Sequence, residues 1–448
     1  MSDGGIVQPA ARGPAPPLSR LKALMSEYTG VVRNGYELLS APDDARMFYY
    51  GCEISDTHEL LGHGTTPRSG GAHYEREAAL AAALGEALER YCGAFLPESH
   101  FVLGSAAELG PVAVDPTRFS LFRQDQYAQQ SFPYRPFTRL TPVRWVQGFS
   151  VSNAKPALLP VQLVYLPESL APGEIPIGYA TSSGMACGLT LTAAILKGVL
   201  EVVERDAFML AWSNRLVLPR VDFRADARLA TEDLRHFAPT RLCYDVMDFS
   251  SFSKVPTAVA VVRGRPPDPV ALALGAASAP TMYEACGKAL REAFQTRHWI
   301  RQMRQQRAGR FTVDDIAELA TFEDHVLFYS YHSNVQPVEF LTSSDSVRCI
   351  DQIPSLEGDT AAEWIEAILR RLMDWETTAY AVDITAPDVR QAGLCVVKVI
   401  SPELCPLDVG YKTRFLGGRR LYEATCRVGM RDRALRPEEL NADPHPFP

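Results

Sequence analysis

Three long segments of the 448-residue chain carry apolar side chains over most of their length and contain no proline. They are "EREAALAAALGEALERYCGAF", "LTAAILKGVLEVVERDAFMLAW" and "TMYEACGKALREAFQTRHWIRQM". Because Ala, Leu, Glu and Arg favour helices, the pattern predicts long helices over residues 75–95, 191–212 and 281–303. Two shorter helices are predicted from "LSRLKALMSEYTG" and "AAEWIEAILRRLMDW".

Between these helices lie short apolar runs, several of them rich in β-branched or aromatic residues, which predict strands. The runs are "MFYYGCEI", "HFVLG", "VPTAVAVVRG", "AYAVDIT" and "LCVVKVI". Before the three long helices, "RSGGA", "TSSGMACG" and "GAASAP" are rich in small residues, and we interpret them as loops. The whole pattern predicts a mixed α/β (α+β) fold. We expect one functional unit with subdomains over 21–440, a disordered lead-in over 1–20 and a proline-rich tail over 441–448.

Composition excludes several classes of protein. The net charge of −8 supplies no basic stripe for a phosphate backbone, so we expect no binding to nucleic acid. Nine cysteines are scattered singly, an odd count without a Cys-x-x-Cys pair, which favours a reducing cytoplasm over a disulfide framework. Apolar runs stay short of the ~18 residues that a membrane helix needs.

The first two long helices share an internal repeat. Residues 78–93 align with residues 193–208, with Ala-Ala at the start and Glu-x-x-Glu-Arg at one offset. The matched residues are Glu86, Glu89, Arg90, Glu201, Glu204 and Arg205. The third helix has a looser echo, in which Glu292 and Gln295 are three apart and Arg297 follows. These matches indicate an ancient duplication of a loop–helix unit.

The repeated glutamates predict an acidic site if the helices meet. A spacing of three places two carboxylates on one helical face, and the apolar flanks favour inward-facing side chains over a solvated surface of Glu–Arg pairs. At ~4 Å and an effective dielectric near 20, each pair of like charges costs roughly 4 kcal/mol, so a cation is needed. Carboxylate oxygens suit Mg²⁺ together with substrate phosphates, and arginines and backbone N–H groups suit the phosphates. The sequence thus predicts a Mg²⁺–nucleotide site without a P-loop or kinase motif.

The chain ends in "NADPHPFP", where three prolines alternate with other residues. Proline fixes φ and favours the extended polyproline conformation, so the tail is stiff before it contacts anything. A stiff tail can hold its last carboxylate at a fixed place. The alternative is a solvated end that avoids pairing with other strands.

Four segments of the chain, taken together, indicate a family. They are "ATSSGMACGLTLTAAILKGVLEVVERDAFMLAW", "AALGEALERYCGAF", "ALREAFQTR" and "LGGRRLYE" followed by "LNADPHPFP". They resemble the YcaO family, in its azoline-forming cyclodehydratase branch, from about residue 21 onwards. The resemblance implies ATP-dependent formation of thiazoline or (methyl)oxazoline rings from Cys, Ser or Thr of a ribosomally made precursor peptide. The side chain attacks the preceding amide carbonyl, and the amide oxygen takes the γ-phosphate and leaves.

The resemblance also implies roles for particular residues. Glu86, Glu89, Glu201 and Glu204 would hold Mg²⁺ and the phosphates. The carboxylate of Pro448 would accept or orient a proton in the active site. The nucleotide partners, for phosphate or structural support, would be Arg90, Arg205, Gln295, Arg297, Gly71 and Ser183.

Four positions depart from the family pattern. Leu189 and Ala193 stand where members often carry Asn and Glu, Ala82 where they carry Ser, and Gly70 where they carry Lys. A non-catalytic scaffold that binds precursor or partner is therefore one alternative. A thioamide-forming enzyme is another, although the proline tail argues against it.

The resemblance implies several partners as well. We expect a precursor peptide, an E1-like or ThiF-like protein on a separate chain that recognises the leader, a possible downstream flavin dehydrogenase, and a homodimer. His63, His73 and His445 are interpreted as loop or packing residues with no role in proton transfer.

Overall fold

Three sheets, each covered by one long helix, make up the core of a computed structural model. The structure describes residues 17–58, 64–167, 169–306 and 316–448. Its helices are α1 (Leu18–Lys22), α2 (Arg76–Ala94), α3 (Ala106–Leu109), α4 (Gln124–Tyr127), α5 (Val161–Val164), α6 (Leu191–Ser213), α7 (Ala227–Glu232), α8 (Met282–Gln306), α9 (Phe322–Phe328), α10 (Ala361–Met373), α11 (Pro387–Gln391) and α12 (Arg419–Arg427).

The strands form one small and two larger sheets. They are β1 (Val32–Leu38), β2 (Phe48–Ile54), β3 (Arg68–His73), β4 (Val102–Gly104), β5 (Val143–Ser150), β6 (Pro156–Pro160), β7 (Met185–Gly188), β8 (Arg220–Asp222), β9 (Cys243–Asp248), β10 (Thr257–Arg263), β11 (Leu272–Ser278), β12 (Val347–Cys349), β13 (Tyr380–Asp383) and β14 (Cys395–Ile400). The first sheet has the order β1-β2-β3, the second β4-β5-β13-β14-β7 with β6 beside β5, and the third β11-β10-β9-β8-β12. Neighbouring strands are antiparallel except for the parallel pair of β12 and β8.

Each long helix packs on the strand that precedes it in the chain. Helix α2 covers β3, α6 covers β7 and β14, and α8 covers β11 and β10. The three strand–helix units β3–α2, β7–α6 and β11–α8 therefore repeat, one on each sheet. The mixed α/β fold is confirmed, and so are the three long helices and the five strands predicted from apolar runs. The first short helix is shorter than its pattern suggested, and it ends at Lys22.

The three segments interpreted as loops are strands, which corrects that interpretation. "RSGGA" lies in β3, "TSSGMACG" ends in β7, and "GAASAP" begins within β11. Their small residues serve close packing, because helix and strand approach each other there. A Cβ at Gly71 would lie 2.4 Å from the backbone nitrogen of Ala83 and 2.5 Å from the carbonyl oxygen of Ala79, both in α2.

The domain boundaries at residues 20 and 440 stay predictions, and most of the lead-in lies outside the described residues. Helix α1 begins at Leu18, before the expected boundary, and Arg20 donates a hydrogen bond of 2.8 Å to the carbonyl oxygen of Gly393. Among the described residues, no helix combines the length and the hydropathy needed to cross a bilayer.

The C-terminal tail is buried, not solvated, and its carbonyl oxygens accept hydrogen bonds from side chains of other parts of the chain. Trp212 donates to the carbonyl of Asp443 at 3.2 Å, and the Tyr329 hydroxyl donates to that of Pro444 at 2.6 Å. His445 is 2% exposed and Phe447 is 0% exposed. The ring of His445 lies 2.8 Å from the carbonyl oxygen of Asp408, and the absence of a role in proton transfer stays a prediction. His63 lies outside the described residues.

A buried ion-pair cluster ties α8 to two loops. The Arg297 guanidinium is paired with Asp268 at 2.7 Å and with Asp44 at 3.4 Å, and Arg301 pairs with Asp44 at 2.9 Å. His298 lies 3.0 Å from the Asp44 carboxylate. The buried Asp44 carboxylate is therefore paired with two guanidinium groups. Loss of either one would leave part of its negative charge uncompensated.

Replacement of Arg297 by methionine should destabilise the fold by roughly 3–5 kcal/mol, because it leaves the Asp268 carboxylate without its cation and the buried Asp44 carboxylate with Arg301 alone. The measurement is the shift of the urea unfolding midpoint. Arg370 is the matched control, since its pair with Glu357 is exposed on both sides, and Arg370→Met should cost less than about 1 kcal/mol. Equal shifts in the two variants would contradict a structural role for Arg297.

Candidate nucleotide and metal site

The first glutamate of each long helix lies beside the backbone of its own unit. The N–H of Gly70 in β3 donates to Glu86 at 2.9 Å. The backbone of Gly184, directly before β7, lowers the pKa of Glu201 against the effect of burial, and that of Ala276 in β11 does the same for Glu292. The three backbone positions precede their glutamates by 16 or 17 residues, so the arrangement is similar in the three units.

The second glutamate of a helix reaches the next unit instead. Glu89 of α2 accepts the N–H of Cys187 in β7 at 2.7 Å, and Glu204 of α6 accepts that of Ser278 in β11 at 3.0 Å. In α8 the equivalent position is Gln295, whose side-chain nitrogen lies 3.6 Å from where a Cβ on Gly70 would stand. The three units therefore close into a ring, with the third in contact with the first.

Three of the site's basic side chains bind its carboxylates or its backbone. Arg90 pairs with Glu86 at 2.6 Å, and Arg205 pairs with Glu204 at 2.5 Å and with Glu201 at 3.4 Å. Lys398 of β14 is 4% exposed and donates to the carbonyls of Thr181 and Ser183 at 2.6 and 2.7 Å.

The five glutamates of the ring outnumber the four cations near them, which are Arg90, Arg205, Lys398 and Lys197. Burial raises the pKa of Glu89 to about 8, although the Cys187 N–H and the Lys197 ammonium oppose the rise. Burial and the charge of Glu204 raise the pKa of Glu201 to about 7 and the pKa of Glu292 to about 8. Burial also lowers the pKa of Lys398 to about 8, which Glu201 opposes. A divalent cation would supply the missing positive charge.

The donor set fits Mg²⁺ held together with phosphates. Within the residues that the structure describes, no three carboxylate, imidazole or thiolate side chains come close enough to ligate one ion by themselves. Mg²⁺ does not need such a cage, since it keeps several waters and binds one or two carboxylates plus substrate phosphates. Hard oxygen donors around an excess of negative charge meet that requirement.

The chain's last residues reach this ring. The Arg205 guanidinium lies 4.3 Å from the centre of the Phe447 ring, which also packs 4.6 Å from the ring of Phe208. Arg205 therefore contacts both the glutamates of α6 and the tail. Pro448 follows directly and is half-buried.

The structure brings most of the predicted site residues together, but not all of them. The four glutamates, Arg90, Arg205 and Gln295 belong to the ring, and Ser183 lies beside it through its carbonyl. Gly71 is buried beneath α2, where the absence of a Cβ allows close packing, and its contact with phosphate stays a prediction. Arg297 is held in the ion-pair cluster, which favours the structural one of its two expected roles.

Two residues of the site were not assigned from the sequence. Glu292 was visible in the looser third repeat, and the repeat itself was the signal. Lys398 carried no signal, because it stands as the one charged residue in the apolar strand "LCVVKVI" and its partners are backbone carbonyls.

Two of the four departures from the family pattern, Leu189 and Ala193, lie at the N-terminal end of α6, whereas Ala82 lies in α2 and Gly70 in β3. Leu189 precedes the helix and Ala193 is in its first turn, where its N–H is bonded by the capping hydroxyl of Thr190 at 3.2 Å. At a rise of 1.5 Å per residue, Ala193 is about 18 Å along the helix from Arg205. Ala193 is thus distant from Arg205, whereas Gly70 belongs to the ring through its bond to Glu86.

The mixed α/β fold thus carries an acidic ring that suits Mg²⁺ and phosphates. A family model described as YcaO cyclodehydratase, ATP- and Mg²⁺-binding, matches residues 70–405. The chain belongs to the YcaO family. No curated protein sequence matches it.

Solved structures share the fold at low sequence identity. A heterocyclase in complex with substrate and cofactor has a TM-score of 0.79 and 23% identity, over 96% of this chain and 56% of that one. The heterocyclase TruD has a TM-score of 0.68 and 21% identity, over 99% of this chain and 56% of its own. YcaO from Methanopyrus kandleri, bound with AMPPCP and Mg²⁺, has a TM-score of 0.59 and 16% identity, over 86% and 88%. The chain thus spans little more than half the length of the two heterocyclases.

The raised pKa of Glu89 should make the ligand-free protein less stable as pH rises from about 4.5 to about 8. Over that range the unfolded glutamate loses its proton while the folded one keeps it, so the folded state binds more protons. We expect Tm without Mg²⁺ to fall between pH 6 and pH 8, and Glu89→Gln to reduce that fall.

Glu77, exposed in the first turn of the same helix, is the control, and Glu77→Gln should leave the pH dependence of Tm unchanged. Addition of Mg²⁺ with AMPPCP should raise Tm more at pH 8 than at pH 6. If the Tm of Glu89→Gln and that of wild type depended on pH in the same way, the pKa of Glu89 would not be raised in the folded protein.

Proposed function

We propose that the chain is an ATP- and Mg²⁺-dependent cyclodehydratase that forms thiazoline or (methyl)oxazoline rings from Cys, Ser or Thr in a ribosomally made peptide. The proposal depends on the position of Arg205. Its guanidinium pairs with Glu201 and Glu204 and lies over the ring of Phe447. It places the end of the chain beside the acidic ring. Membership of the YcaO family supports the same chemistry.

The acidic ring would hold the cation and the nucleotide phosphates. Glu86, Glu89, Glu201, Glu204 and Glu292 carry the oxygens that suit Mg²⁺. When bound, Mg·ATP supplies the phosphoryl group that turns the amide oxygen into a good leaving group. The ring's own contribution is position and charge, because strand N–H groups fix Glu86, Glu89 and Glu204 before any ligand arrives.

The tail would provide the proton acceptor. The thiol or hydroxyl of the peptide residue attacks the preceding amide carbonyl carbon, and its proton passes to the carboxylate that Pro448 carries as the last residue. Loss of the amide oxygen and of the amide proton then leaves the C=N bond of the azoline. Arg205 would stabilise negative charge at the reacting oxygen, since a guanidinium is a strong donor to oxyanions.

Partners remain proposals of the same kind. We propose a precursor peptide as substrate and an E1-like or ThiF-like leader-binding protein on a separate chain. The longer chains of the two heterocyclases are consistent with additional parts that this chain does not span. A flavin dehydrogenase and homodimer formation stay predictions.

Deletion of Pro448 should abolish ring formation and keep the fold. The bonds to Asp443, Pro444 and His445 remain, but the terminal carboxylate moves by one residue. The measurement is mass spectrometry of a co-expressed precursor, in which each ring removes the mass of one water. Pro448→Ala, which keeps a carboxylate in place, should retain more activity than the deletion. Full ring formation in the truncated protein would contradict the proposed base.

Replacement of Glu204 by glutamine should lower ATP-to-ADP turnover by at least about 100-fold, because one charge of the ring is lost while the acceptor for Ser278 is kept. Turnover is measured with precursor and partner present, and Glu77→Gln serves as control. A wild-type chain that binds the peptide without stimulated turnover would instead support the scaffold alternative.

A further inference from the structure

Arg205 also lines a cavity, which lies between α6, β14 and the segments around residues 119–121 and 179–183. The cavity wall is mainly apolar. Its apolar lining residues include Leu121, Leu163, Tyr179, Val202, Leu404 and Phe415. All of these except Val202 are less than a tenth exposed, so the wall belongs to the folded core and does not depend on mobile side chains.

Three hydroxyls and one ammonium group in this wall are bound to other parts of the protein, and Thr181 and Ser183 are its further polar residues beside Arg205. The hydroxyls of Ser120, Ser401 and Tyr179 donate to the carbonyls of Glu403, Thr378 and Thr413 at 3.2, 3.0 and 3.1 Å. Lys398 likewise donates to two carbonyls. The hydrogen-bonding edge of a nucleotide base would therefore meet few available partners, whereas an apolar side chain needs none.

The cavity shares its polar end with the acidic ring and the tail. Arg205 lines it, and the Nε of Arg205 is buried without a hydrogen-bond partner in the described part of the chain. Cys405, another lining residue, belongs to the same hydrophobic cluster as Phe447. One amino-acid residue could thus place its side chain in the cavity while its carbonyl oxygen stays near Arg205.

We propose that this cavity binds an apolar side chain of the peptide, that of the residue directly before the cyclised one. The inference rests on the proposed function, because it takes the reacting carbonyl to lie beside Arg205. It makes the residue before each Cys, Ser or Thr a determinant of which sites are cyclised.

The test measures binding and not turnover, so that it is independent of the proposed chemistry. Dissociation constants of Ac-Gly-Cys-Gly-NH₂ and Ac-Leu-Cys-Gly-NH₂ are determined by NMR titration of the full chain with Mg²⁺ and AMPPCP. Burial of a leucine side chain should make the second peptide bind at least about ten-fold more tightly.

Two variants change the cavity in opposite directions. Ala180 lines it, is half-buried, and has open cavity beside it, so Ala180→Leu should remove the preference for the leucine peptide. Val202→Ala enlarges the cavity and should shift the preference towards Ac-Trp-Cys-Gly-NH₂. Ala107→Leu on the exposed face of α3 is the control and should keep the wild-type preference.

Each outcome decides between the alternatives. Equal affinity for the glycine and leucine peptides, or no measurable binding of either, overturns the proposal. Loss of AMPPCP affinity in Ala180→Leu with peptide affinity unchanged would assign the cavity to the nucleotide base and also overturn it. Leucine preference without any ring formation would keep the cavity assignment and refute the proposed chemistry alone.

Discussion

The hydrogen bonds from strand N–H groups to helix glutamates are the constraint on which the rest of the structure depends. Glu89 and Glu204 each accept an N–H from the following unit, so the same bond that orients a carboxylate also fixes one unit against the next. A buried N–H left unpaired costs about 1–3 kcal/mol, so movement of either unit is opposed at several points. The acidic ring is therefore part of the framework and not an addition to it.

The ring tolerates five carboxylates because the sixth position is an amide. Gln295 stands where the other helices carry their second glutamate, next to Gly70. A sixth carboxylate would add repulsion to a site where the pKa of Glu292 is already raised to about 8. The Gln295 amide lies at the junction of the third unit with the first and adds no charge there.

The sequence predicted the long helices and the glutamate pairs because both depend on local periodicity. It missed β3 and β11 because Gly, Ala and Ser residues are typical of loops. In these two strands the small residues instead allow a helix to pack closely on the strand, as at Gly71. The helical period also explains Arg297. It lies five residues after Glu292, and at about 100° per residue this points it well away from that carboxylate, whereas Arg205 lies four after Glu201. Closure of the ring depends on contacts between units, which no local pattern contains.

The proline tail can be buried because proline has no backbone N–H. Each proline removes a backbone N–H that would need a partner in the core, so the buried tail presents mainly carbonyl oxygens. Those oxygens meet donors from the surrounding helices: Trp212 of α6 for Asp443, Tyr329, which directly follows α9, for Pro444, and His325 of α9 for His445. An ordinary sequence in the same path would bring further N–H groups without acceptors. Alternating prolines thus allow the end of the chain to enter a buried charged site, and Phe447 covers Arg205 where it arrives.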